Sequence, residues 1–181
     1  MAGRFKGVVE MEKSRLEKFC NAVEKYTLDI TMGICAVMLV VAWMHVTRRY
    51  VFNSALTWSE EFLRFTIVWY ALLSASILHK RNGHLGITII REAMPEVVQK
   101  FLKRVVIYLG TLTVALVTVF GTVLVFSTRT QVTPALGIST ALPYAAIPVS
   151  FLLMMLYGIV HIIRDIKGLP PLKSENSENK E

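Results

Sequence analysis

The chain has 181 residues, 54% of them hydrophobic, and a mean hydropathy of +0.50, which excludes an ordinary soluble domain and predicts an integral membrane protein. Its formal net charge of +7 does not imply nucleic acid, because the Lys and Arg residues sit at the edges of apolar runs and form no basic stripe interleaved with aromatics.

Residues 1–25 mix charges with Leu16, Phe19, Cys20 and Val23 at helical spacing, the pattern of an amphipathic interfacial helix or of a frayed solvated terminus. The next run is apolar apart from Asp29, His45 and threonine, and predicts a first span over 28–50, close to the ~20 residues that cross a ~30 Å hydrocarbon core. No small-residue cleavage site follows it, so it reads as a retained signal anchor. Cys20 and Cys35 have no partner at ligand or CxxC spacing and read as free thiols. A second span is expected over 58–78, ended by "HKRNGH".

Residues 85–104 then alternate at helical spacing. Val97, Val98, Phe101, Leu102 and Val105 make one face, and Glu96, Gln99, Lys100, Lys103 and Arg104 the other. This second amphipathic helix either lies along the interface or projects from it. The third span is expected over 105–126, where Gly110, Thr111, Thr118, Gly121 and Thr122 offer small surfaces for helix approach. The fourth is expected over 143–163, with Pro148 loosening its first turns. The expected organisation is an amphipathic N-terminus (1–25), a four-helix membrane domain (26–166) and a disordered cytoplasmic tail (167–181), an all-α integral membrane fold.

Six of the 20 Lys and Arg residues precede residue 28, six lie between 79 and 104 and four follow 163, so four spans place 16 on one side. Only Arg48, Arg49, Arg64 and Arg129 fall on the other. The positive-inside rule therefore puts both termini in the cytoplasm.

The second span begins "TWSEEFLRFTIVWY", with three ionisable groups at its start. Thr57 and Glu60 have capping-box spacing, and acids suit a helix N-terminus. Arg64 stands four residues after Glu60 and three after Glu61, within reach of both along one helix face. Behind Arg64 a stripe of Ile67, Ala71, Ser74, Ala75 and Leu78 is mostly small, which suits close approach of a neighbouring helix. Arg48 and Arg49 end the first span on the same side. The cluster reads as a clamp between spans one and two, a contact for a partner protein or lipid headgroup, or an ion-coupling site.

Here the sequence resembles a known family. The pattern Arg49, Tyr50, Asn53, Trp58, Ser59, Glu60, Glu61, Arg64 and, after the second span, His84 is similar to the small membrane subunit, DctQ-like or Q, of tripartite ATP-independent periplasmic (TRAP) transporters. "MPEVVQKFL" and "TPALGISTALPYAAIPVSFLLM" resemble the family's amphipathic segment and fourth-span entry, and Ser74 stands near where many relatives have glycine. The resemblance implies a static scaffold in the bacterial inner membrane, surrounded by phospholipid. Its partners would be a large M subunit, which carries substrate and sodium, and a periplasmic binding protein, P. The subunit itself would hold no cofactor and catalyse no reaction. The overall texture most resembles sialic-acid systems, which suggests N-acetylneuraminate as the organic acid carried.

Without an internal repeat or broken-helix pair, the chain lacks the signature of a complete secondary transporter. The loop "STRTQVTPALGIST", containing Arg129, Thr133 and Pro134, is either a docking surface for P or an ordinary connector. His45, His79 and His161 lie in or beside spans; only the last two share a depth and could pair on a haem, and lone interfacial histidines are far commoner, so a haem is not favoured. A small exporter or channel that oligomerises without a larger subunit is the alternative reading.

Overall fold

The computed structural model describes residues 2–54, 56–82 and 96–166, which are almost wholly helical. The helices are α1 (Ala2–Tyr50), α2 (Thr57–Asn82), α3 (Glu96–Thr128), the single turn α4 (Ala141–Tyr144) and α5 (Ala146–Ile166). Four segments are long and apolar enough to cross a membrane: Glu17–Tyr50, Thr57–Lys80, Arg104–Thr128 and Ala141–Asp165. Each contains one of the four expected spans. His84, residues 85–95 and the expected tail lie outside the described residues.

Two boundaries differ from expectation. α1 is one helix of 49 residues, roughly 74 Å long at ~1.5 Å per residue, so the amphipathic N-terminal turns run without a break into the first span. No glycine or proline interrupts residues 8–32, and the Thr27 and Thr31 hydroxyls donate back to the Val23 and Thr27 carbonyls at 2.8 and 2.7 Å, which keeps them inside the helix. In the same way residues 96–104 are the first turns of α3, so the described part of the second amphipathic segment extends the third span.

α5 is the hub, packed on both α2 and α3, while α1 packs on α2. The α3–α5 contact is close because a glycine faces a β-branched side chain of the other helix in each direction. A Cβ at Gly121 would lie 2.9 Å from Ile147 Cγ2, and one at Gly158 would lie 2.9 Å from Thr111 Oγ1. Gly121 and Thr111 therefore serve as expected, whereas Gly110 faces open space. Pro148 acts at Ala145, where the helix breaks between α4 and α5, because its ring would crowd the Tyr144 carbonyl one turn back.

Candidate functional site

The α1–α2 turn sets the geometry. Asn53 adopts φ 46°, a left-handed conformation that asparagine tolerates, and Ser54 N–H donates to the Arg48 carbonyl at 3.1 Å. The chain thereby reverses and brings His45 of α1 beside the first turn of α2. Ser59 is fully buried there, with its Oγ 2.7 Å from His45 Nδ1 and 2.7 Å from the Leu56 carbonyl. A serine hydroxyl carries one proton, so when it donates to Leu56, His45 Nδ1 donates to it. Glu60 Oε1 lies 3.7 Å from His45 Nε2 and 3.9 Å from Arg49. Trp58 packs edge-on against Phe62, with centroids 6.5 Å apart.

The expected pairing within α2 is not formed. Glu61 Oε2 accepts the backbone N–H groups of Ala135 and Leu136 at 2.9 and 2.8 Å, from a loop far along the chain. Glu60 turns toward α1, and Arg64 is exposed with no ion pair among the described residues. The expected capping box is absent too: α2 starts at Thr57 itself, leaving Leu56 as the flanking residue. Arg49 joins the cluster as expected, whereas Arg48 stacks 5.8 Å over the Phe52 ring. The stripe behind Arg64 is split: Ile67, Ala71 and Leu78 are exposed, while Ser74 and Ala75 are half-buried. α2 buries Leu73, Ser76, Ile77 and Lys80, while Ile67 and Leu78 are 52% and 57% exposed.

The loop between α3 and α4 is closed by its own hydrogen bonds. Thr133 N–H donates to Ile138 O at 2.8 Å, Gly137 N–H to Thr133 O at 3.1 Å and Thr140 N–H to Gln131 O at 3.0 Å. Gly137 takes φ +66°, the turn conformation that suits glycine. Thr133 is buried and its Oγ1 accepts the Ile138 N–H at 3.2 Å, so it shapes the loop, while Arg129 and Pro134 are exposed.

A second polar cluster, at the opposite end of the helices, escaped sequence reasoning. Lys80 is 1% exposed, and its ammonium donates to Cys20 O at 3.0 Å, Asn21 Oδ1 at 2.7 Å and Glu24 Oε2 at 2.5 Å. It also lies 5.9 Å from the centroid of the buried Tyr157 ring of α5. Arg164 of α5 donates to Glu17 at 2.6 Å. Three helices are thus joined by paired charges. The available signal was Glu17, Asn21 and Glu24 at spacings of four and three on one face of α1.

The model of the "Tripartite ATP-independent periplasmic transporters, DctQ component" family matches residues 35–168, which include the whole charged start of α2. The sialic acid TRAP transporter small permease protein SiaQ of Vibrio cholerae is 31% identical over 86 residues, 48% of this chain and 48% of that protein. The C4-dicarboxylate TRAP transporter small permease protein DctQ of Vibrio cholerae is 29% identical over 87 residues, 48% of this chain and 36% of that protein. The sialic acid TRAP transporter permease protein SiaT of Haemophilus influenzae is 32% identical over 139 residues, 76% of this chain but 22% of that protein. The chain spans about half the length of the first curated relatives it matches. With most of its length matched and four apolar helices in place, this chain, a multi-pass membrane protein and not an enzyme, belongs to the DctQ-component family of TRAP transporters.

Proposed function

We propose that the chain is the static scaffold subunit of a TRAP transporter and holds a larger permease subunit that carries the substrate and its sodium coupling. The observation that carries this reading is the match to SiaT, where a segment similar to this chain occupies 22% of one longer permease polypeptide. The exposed apolar surface is compatible with it: Val40 and Trp43 of α1 are 70% and 77% exposed within a membrane span, where lipid or a larger subunit can cover them. Arg64 stands on the exposed face of α2 beside Ile67. An arginine in a bilayer is costly unless it pairs or reaches the headgroup region, and an acidic residue of the larger permease is the partner that the scaffold reading supplies. Bilayer phospholipid fills two apolar grooves between α1 and α2, one lined by Leu28, Cys35 and Leu78 and the other by Ile34, Phe62 and Trp69. Affinity purification of the tagged chain from cells expressing the whole system tests this: the larger permease co-purifies, whereas recovery of the chain alone as an oligomer would favour the exporter or channel reading.

The Lys and Arg distribution supports an inner-membrane topology with both termini in the cytoplasm and residues 129–140 in the periplasm. There the loop docks the substrate-binding protein through Arg129, Pro134 and their exposed neighbours. The cargo is an organic acid, with N-acetylneuraminate first in line because SiaQ and SiaT carry sialic acid in their names. The C4-dicarboxylate relative is the competing choice. Calorimetric titration of the system's binding protein with both acids decides between them.

A further inference from the structure

We infer that Glu61 is a positioning residue for binding-protein docking: its carboxylate holds the periplasmic loop in the one shape that the partner meets. This rests on the reading that the loop is the docking surface. The loop's internal hydrogen bonds use the N–H groups of Thr133, Gly137, Ile138 and Thr140. Those of Ala135 and Leu136 converge instead on the single oxygen Glu61 Oε2, at 2.9 and 2.8 Å. Among the described residues, these are the hydrogen bonds that tie the loop to α2. A carboxylate receiving two N–H groups forms charge-assisted bonds, the stronger class.

The consequence is preorganisation. The loop has no regular structure beyond one bridge between Val132 and Ser139, and a surface that is already ordered loses less entropy when a partner lands on it. Its outer face carries Arg129, Pro134 and Val132, which is 65% exposed, and Glu61 reaches the loop from beneath at Ala135 and Leu136. Loss of the carboxylate frees the loop and lowers the fraction in the docking-competent shape, which weakens apparent affinity by that fraction. Glu61 would thus act on docking without touching the binding protein.

The test uses the whole complex in nanodiscs, titrated with fluorescently labelled binding protein purified with the ligand it carries from the cell. Glu61→Ala is expected to raise the half-saturating concentration roughly tenfold, and Glu61→Gln, whose amide oxygen still accepts, about threefold. Complex yield is expected to stay at the wild-type level and the melting temperature to fall by only about 2–4 °C, while hydrogen exchange at residues 135 and 136 accelerates. Val132→Asp serves as a direct lesion of the surface. If it weakens binding while both Glu61 variants bind like wild type, the docking surface stands and the role of Glu61 is overturned. If none of the three variants changes binding, the docking reading itself fails, and the inference with it. Should Glu61→Ala not assemble, Glu61→Gln decides: wild-type affinity and loop exchange would overturn the proposal.

Discussion

Lys80 turns a membrane-end charge into a buried joint. Its ammonium has three N–H groups, and three acceptors of α1 receive them, one of them the Glu24 carboxylate. Removing one member of a buried ion pair costs about 3–5 kcal/mol, whereas replacing both with apolar residues of similar volume is often neutral. Lys80→Met alone is therefore expected to lower the melting temperature of the detergent-purified chain sharply, and the Lys80→Met, Glu24→Met pair to recover most of the loss. Equal melting of the single variant and the wild type would mean that the joint does not hold the helices. Glu61 illustrates what local spacing omits. Its distance along the helix from Arg64 permits a pair, yet its carboxylate goes to backbone groups 74 and 75 residues away, a partnership that exists only once the chain is folded. The Arg49–Glu60 contact was within reach of sequence because both residues flank one short turn; at 3.9 Å with both side chains more than half exposed, it contributes little to stability.

Among the helices, the spans were legible because uncharged runs of membrane length admit few other structures. Their ends were less so. Residues 1–25 have an amphipathic pattern that suits a separate surface helix, but nothing in the backbone chemistry stops that helix from continuing into the first span. Small residues in α3 marked a packing face without saying which of them touch α5. Gly121 sits against Ile147 and Gly110 against nothing, a difference set by the orientation of α5. Gly121→Ala should accordingly destabilise by about 1–3 kcal/mol through overpacking, with relief when Ile147→Ala opens the space, and Gly110→Ala should be neutral or slightly stabilising. Thermal unfolding of the variants measures all three. A Gly121→Ala variant as stable as the wild type would contradict the close α3–α5 approach.

For the whole molecule, the membrane exterior is unevenly filled. α5 packs on two neighbours, while the outer faces of α1 and α3 and the Arg64 face of α2 stay exposed. On the scaffold account that surface is where the larger permease sits. Arg64→Ala should reduce co-purification of the larger subunit several-fold while Arg64→Lys retains more of it, since both cations meet an acid but only arginine does so in a two-pronged fashion. Equal recovery with all three side chains would move the interface elsewhere. The most direct test of the central claim is uptake into liposomes containing this chain alone, the larger permease alone, or both, with binding protein and a sodium gradient supplied in every case. The account predicts accumulation of the organic acid only when both membrane subunits are present; accumulation with this chain alone would contradict it.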